Sequence, residues 1–283
     1  MTIGRMIEIT DPQDPRIGPF LNQKDAWLKA AHNPEAPNNA DPDHPGRFIA
    51  EGVLVIEHLL QSRFPVESIF VSQSRVPAVR ELLESVPESI PIYIADQSIM
   101  DTIVGFPIHR GLLACGLRLP NPDPIELAAA CKSLIILENL SNHDNVGSVF
   151  RSAAALGGPG VGVLLTARCC DPLYRKSLRV SMGHVLKIPF AIIDGLPGCL
   201  PQLHQLGYTS VALTPDEGAE SLAPDQVPII LRPALCFGAE GPGLTRDALA
   251  NVQRRMRIPM AAGVDSLNIA VAAAVTMYGL LTP

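Results

Sequence analysis

Apolar residues along this chain fall in short runs divided by polar and turn-forming segments, and two periods alternate. From Arg47 the runs predict a strand at Arg47–Glu51, a helix at Val53–Gln61, a strand at Ser68–Ser72 and a helix at Ala78–Ser85. Strand, helix and strand follow at Ile92–Ala95, Ser98–Val104 and Leu112–Arg118. This small alternating unit ends at Leu119-Pro120-Asn121-Pro122-Asp123-Pro124, whose prolines stiffen the chain into a linker. A second alternating stretch predicts strands at Ser133–Leu137, Val161–Leu165, Leu186–Phe190, Thr209–Leu213, Ala234–Phe237 and Met256–Ile258. Its helices are expected at Val146–Leu156, Pro172–Met182, Cys199–Leu206, Arg246–Val252 and Leu267–Leu281. Such alternation implies an α/β fold with a mostly parallel sheet covered on both faces.

The first 46 residues break the pattern. Pro12, Pro15, Pro19, Pro34, Pro37, Pro42 and Pro45 exclude a long helix or a central strand there. A wrapping arm is expected, with a short helix around Gln23–Ala31 anchored by Trp27, the only tryptophan. The predicted organisation is an arm at 1–46, a small α/β domain at 47–118, a linker at 119–130 and a larger domain at 131–283.

The chain has 283 residues, of which 47% are hydrophobic and 18% charged, enough apolar material to exclude a disordered chain. No run of about 18 apolar residues offers a membrane span, and no apolar stretch follows a basic start as in a secretory signal. A soluble, cytoplasmic protein is the default expectation. Six cysteines (Cys115, Cys131, Cys169, Cys170, Cys199 and Cys236) have irregular spacing without a CxxC pair and read as reduced thiols. The scattered histidines form no ligand cluster, so no metal is expected.

Three polar clusters follow strands, where open α/β sheets carry their sites. The first runs from Glu138 to Arg151. Asn145 reads as the N-cap of the following helix, and Arg151 is expected to lean back over Gly147 and Ser148, so that an anion fits between helix start and guanidinium. The second, Cys236-Phe237-Gly238-Ala239-Glu240-Gly241-Pro242-Gly243-Leu244, has glycines that permit close backbone approach to a ligand. The third runs from Arg257 through Ile258-Pro259-Met260 to Ser266-Leu267-Asn268 and into a helix apolar on nearly all sides, which must be buried in a core or a subunit interface. Each cluster alone is compatible with ordinary capping and turn formation.

Taken together, in this order and spacing, they resemble the three signature motifs of the SpoU (TrmH-like) RNA ribose methyltransferases of the SPOUT superfamily. Asn145 and Arg151 match the first motif, Gly238–Glu240 the second, and Ile258-Pro259-Met260 with Ser266-Leu267-Asn268 the third. The resemblance covers residues 133–282 most strongly. It extends more weakly over 47–118, where FIAEGVLVIEHLL and His109-Arg110-Gly111-Leu112 look like the family's N-terminal substrate-binding domain.

This resemblance implies a SPOUT-type sheet with a C-terminal trefoil knot, S-adenosyl-L-methionine as cofactor, and a homodimer formed through the knotted domain. It implies that Leu213, Gly238, Ile258, Met260 and Leu267 hold the cofactor, and that Arg151, Asn145, Glu240, Ser266 and Asn268 serve catalysis. A guanidinium stays protonated in proteins, so Arg151 is expected to grip a phosphate and stabilise a developing alkoxide rather than act as a base. Net charge is −6, yet between Asp144 and Lys187 six Lys and Arg face only two Asp, which localises a basic face suited to RNA. Arg175, Lys176 and Arg179 at helical spacing, His109 and Arg110, and the Arg254-Arg255 pair are the phosphate-contact candidates. Ribosomal RNA is the favoured partner and transfer RNA the alternative; a non-catalytic RNA-binding relative is the other reading. A dinucleotide enzyme fits poorly, because Gly157–Gly162 follows a helix instead of a strand, and no GxSxG elbow supports a serine hydrolase.

Overall fold

A computed structural model describes residues 6–21, 46–104 and 111–281. The helix expected at Gln23–Ala31, with Trp27, and the pair His109-Arg110 lie outside the described residues. Two compact units are present: the chain up to Pro120 together with Leu173–Lys187, and Asn121–Pro172 together with Ile188 onward.

The first unit is built on strands β1 (Met6–Glu8), β2 (Arg47–Glu51), β3 (Val66–Ser72), β4 (Ile92–Ala95) and β5 (Leu112–Leu117), in the order β1-β4-β3-β5-β2. β1, β3 and β4 run parallel, whereas β5 is antiparallel to both β3 and β2. Helices α1 (Val53–Leu60), α2 (Arg80–Ser85) and α3 (Gln97–Val104) connect them. The proline-rich start contributes edge strand β1 and a 3-10 turn at Pro15–Phe20, whose Ile17 and Phe20 are buried in the unit's core. Phe20 lies 5.4 Å from Phe70, centroid to centroid. Gly116 is needed on β5 because a Cβ there would come within 2.4 Å of the Phe48 ring.

The second unit starts with helix α4 (Pro124–Ala130), lying within the stretch expected to be a linker. Asp123 caps it by accepting from the N–H groups of Ile125 and Glu126, and Pro124 occupies the first turn, where its missing N–H costs nothing. Its C-terminal carbonyls are held from outside. The guanidinium of Arg232 donates to the carbonyl oxygens of Ala128, Ala129 and Cys131 and also to that of Leu206, while stacking 4.3 Å above the Tyr208 ring. The buried Tyr208 hydroxyl donates to the Ala128 and Cys131 carbonyls as well. Arg232→Ala removes the side-chain donor of the Ala129 and Leu206 carbonyls, weakens the support of Ala128 and Cys131, and loses the stacking on Tyr208, so it is expected to destabilise the fold by about 1–3 kcal/mol, read as a lower urea midpoint with unchanged slope.

After α4 come β6 (Ser133–Leu137), α5 (His143–Ser152), β7 (Val161–Thr166), α6 (Arg175–Val180), β8 (Phe190–Ile193), α7 (Leu196–Gln205), β9 (Thr209–Leu213), β10 (Glu220–Ser221), β11 (Pro233–Phe237), α8 (Arg246–Asn251), β12 (Arg254–Arg257) and α9 (Ile269–Leu281). All but α6 belong to the second unit, where the strands form a parallel sheet in the order β10-β12-β9-β11-β6-β7-β8. β6, β7 and β11 are buried at every residue, as strands covered on both faces must be, which explains their unbroken apolar runs. From β6 the chain steps outward to β7 and β8, then returns past β6 to β9. The order therefore reverses beside β6, and the loops at the carboxyl ends of β6 and β11 flank that reversal.

Two local expectations need correction. The strand expected at Leu186–Phe190 runs at Phe190–Ile193, because Pro189 has no N–H for the ladder; a single 3-10 turn, His184–Leu186, precedes it. Asn145 is not the N-cap of α5. Asn142 caps it, accepting from the Asp144 N–H, and Asn145 is buried inside the helix. Within its own chain α9 buries one face: Ala272, Ala273, Thr276, Met277 and Leu280 are inside, and Val271, Val275 and Tyr278 form an exposed stripe.

Candidate active site

The site is built from loops at the carboxyl ends of four strands in the second unit. A cavity of about 540 Å³, within the roughly 300–1,000 Å³ of small-molecule sites, opens among them. Asn142 enters from the loop after β6, Leu213, Thr214 and Pro215 from the end of β9, and Gly238 to Gly243 from the loop after β11. Ile258, Met260, Ser266, Leu267 and Asn268 come from the segment after β12, and Ile269 and Ala272 from the start of α9. The wall is thus mainly aliphatic side chains and backbone, with one carboxylate, that of Glu240.

The glycine-rich loop owes its shape to its residues. Gly238 packs so tightly that a Cβ would lie 2.1 Å from both the Gly243 carbonyl carbon and the Leu244 nitrogen. Gly243 donates its N–H to the Ala239 carbonyl at 2.9 Å, and Gly241 and Gly243 adopt φ of 82° and 71°, where other residues are strained. The result is a tight turn that carries Glu240 on the cavity wall.

All five residues expected to hold a cofactor, Leu213, Gly238, Ile258, Met260 and Leu267, lie together on this wall. Glu240, Ser266 and Asn268 of the expected catalytic group line it too. Asn145 stands directly behind: its Oδ1 accepts from Nδ2 of Asn268 at 3.2 Å, joining α5 to the start of α9, while its own Nδ2 is buried without a partner. Arg151 is different. Because α5 starts at His143, Arg151 sits in the last turn, about 12 Å along the axis from the first, exposed and outside the lining. Arg151 therefore lies farther from the α5 N-terminus than the sequence reading placed it.

The other expected cations divide. Arg175, Lys176 and Arg179 lie on α6, which groups with the first unit; Lys176 and Arg179 are exposed, and Arg179 approaches Glu51 at 3.8 Å. Arg254 pairs with Glu220, and Arg255 donates to the Leu249 carbonyl at the end of α8, so both have structural partners. Sequence reasoning missed the cavity residues Asn142, Thr214, Pro215, Ile269 and Ala272. Asn142 had a visible signal, a cap-forming side chain before the acidic first turn that contains Asp144.

All six cysteines are free. Burial pushes every thiol upward, Cys170 to about 12 and Cys199 to about 11, and Cys236, beneath the glycine-rich loop, higher still. Protonated thiols are poor nucleophiles, so burial disfavours thiolate chemistry at these cysteines. Among the described residues no group of three or more His, Cys, Asp or Glu could hold a metal ion, and no helix is long and apolar enough to cross a membrane.

Comparison with solved structures places this architecture. An AdoMet-bound rRNA methyltransferase from Sinorhizobium meliloti superposes with a TM-score of 0.73 over 98% of this chain and 97% of the other, at 21% identity. An RNA 2′-O ribose methyltransferase superposes with a TM-score of 0.70 over 96% and 97%, at 24% identity. The fold is therefore that of the SpoU-type methyltransferases, a mixed α/β fold with largely parallel sheets. In sequence, residues 132–278 match the SpoU rRNA Methylase family. An uncharacterised tRNA/rRNA methyltransferase of Mycobacterium bovis is 38% identical over 275 residues, covering 96% of this chain and 90% of the relative. The chain belongs to the SpoU methylase family.

Proposed function

We propose that this chain transfers a methyl group from S-adenosyl-L-methionine to a ribose 2′-hydroxyl of RNA in the cytoplasm, with ribosomal RNA favoured over transfer RNA. The observation that carries the reading is the convergence of loops from β6, β9, β11 and β12 on one cavity that holds the residues of the second and third motifs. A trefoil-knotted path through these loops is part of the same reading. The names of the family and of its relatives support RNA as the substrate.

The residues present fit the cofactor. An apolar slot of aliphatic side chains and backbone groups suits a nucleoside, and Glu240, the one charged residue of the lining among the described residues, has the sign that favours a sulfonium. When bound, S-adenosylmethionine supplies an electrophilic methyl group. Leu213, Ile258, Met260 and Leu267 exclude water and hold the nucleoside, while Gly238 lets backbone approach it. Ser266 and Asn268 orient the target ribose, and Asn145 fixes the Asn268 amide. Such alignment can lower a barrier by about 7–11 kcal/mol.

Among the described residues the lining has no Lys or Arg, and Arg151 stands exposed at the end of α5, which packs along α9. In this reading a second copy packs on the Val271, Val275 and Tyr278 stripe and brings its Arg151 to the cavity. There the guanidinium grips the phosphate beside the target ribose and stabilises the developing alkoxide. The proton leaves through that phosphate or a water.

The first unit serves as the RNA-binding domain, with Arg175, Lys176 and Arg179 on phosphates, and His109 and Arg110 as further phosphate contacts. Lys176→Ala is expected to weaken RNA binding across sequences and to make the log–log salt slope shallower by about 0.7–0.9. An unchanged slope removes Lys176 from the interface. The cofactor assignment is tested by titration calorimetry with S-adenosylmethionine. One site per chain is expected; an absence of binding favours the non-catalytic relative.

A further inference from the structure

Glu138 is a charged residue that directly follows the buried strand β6, and it is itself only 3% exposed. Its surroundings explain its burial. Its backbone N–H donates to the Phe237 carbonyl at 2.8 Å, at the end of β11. Its carboxylate accepts from the Thr245 N–H at 2.7 Å and from the Thr245 hydroxyl at 3.0 Å. Phe237 and Thr245 are the residues on either side of the glycine-rich loop 238–244. A single residue therefore clasps both ends of the loop that places Gly238 and Glu240 on the cavity wall.

On its other side, the same strand end is fastened to β7. Asn139, at φ 60°, donates its N–H to the Thr166 hydroxyl oxygen at 2.9 Å. Cys169 donates to the Leu137 carbonyl and accepts from the Leu140 N–H. The loop leading to Asn142 and α5 is thus tied to the same point as the glycine-rich loop.

We infer that Glu138 is a positioning residue for cofactor binding, closing the stem of loop 238–244 through Thr245; this rests on the cofactor reading above. It touches nothing in the cavity and acts only through the loop. Hydrogen-bond acceptance is the property required. Gln can replace it, since its carbonyl accepts the Thr245 N–H and its amide donates to the hydroxyl oxygen. Asp, one methylene shorter, cannot span the gap to both donors.

Hydrogen exchange and S-adenosylmethionine titration on the full-length protein test this together. Glu138→Ala and Glu138→Asp are expected to speed exchange at the Gly243 and Thr245 amides while β7 and β9 stay protected, and to weaken cofactor binding by roughly tenfold or more. Turnover at saturating cofactor is expected to fall much less than the affinity. Glu138→Gln is expected to stay within about threefold of wild type, because hydrogen bonds to a neutral amide hold the same geometry. If the alanine protein does not fold, the aspartate variant decides. Unchanged exchange in the loop, or equal loss in the glutamine and alanine variants, overturns the assignment. Failure of the wild type to bind S-adenosylmethionine would sink the cofactor reading instead, and the exchange data would still decide whether Glu138 holds the loop.

Discussion

Arg151→Ala is expected to lower turnover at least 100-fold while leaving S-adenosylmethionine affinity and the urea midpoint near wild type. The guanidinium is exposed and lies outside the cavity lining, so removing it disturbs neither the core nor the cofactor slot. What is lost is a preorganised positive charge at a developing oxyanion, and removal of one such donor typically costs about 10²–10³ in rate. Arg151→Lys keeps the charge but not the planar fork that holds a phosphate through two bonds, so it is expected to recover only a small part of the loss. Near-normal turnover in the lysine variant would mean that the fork is dispensable. Because the account places Arg151 at the partner's cavity, mixing Arg151→Ala chains with Asn268→Ala chains is expected to restore activity in the hybrid dimers. No restoration means that the arginine serves its own subunit.

Gly238→Ala is the second large effect. The added methyl would meet backbone atoms of Gly243 and Leu244 at 2.1 Å, and backbone cannot swing aside as a flexible side chain does. The turn must open, which shifts Ala239, Glu240 and Gly241 on the cavity wall. Overpacking of this kind costs about 1–3 kcal/mol of stability, and cofactor binding is expected to fall beyond detection in a calorimetric titration. Gly241→Ala makes a useful contrast. It has open space around it but φ of 82°, so its cost is backbone strain at a tip, of about 1–2 kcal/mol, with partial binding retained. Wild-type affinity in Gly238→Ala would remove the loop from the cofactor site.

Much of this architecture is legible in the amino-acid sequence. β6, β7 and β11 stand where largely apolar runs end in polar loops, since a parallel strand buried on both faces admits little else. The residues of the second and third motifs gather on one wall because they follow β11 and β12, the two strands that flank β9. The start of α5 was harder. Asn142 and Asn145 are both cap-forming, and the first apolar residue of the helix is Val146, so periodicity pointed three residues too late. That displacement also placed Arg151 too near the helix start.

Other differences come from tertiary contacts that no local pattern encodes. The pattern of residues 172–182 announces a helix but not its partner, and the structure groups α6 with the first unit. Asp123-Pro124 carried a cap and a first-turn proline, yet the surrounding prolines read as a linker, and what completes α4 is Arg232, about a hundred residues away. The exposed stripe on α9 was hidden by composition: a helix of Ala, Val and Ile gives no polar face to tell inside from outside.

The most direct test of the whole account is where the methyl group ends up. The purified protein is incubated with S-adenosylmethionine carrying a labelled methyl and with total RNA lacking the modification, and the RNA is digested to nucleosides for mass spectrometry. The account predicts label on the ribose 2′-oxygen at a single site, lost in Arg151→Ala. Label on a base, or none in RNA from any source despite tight cofactor binding, would contradict it.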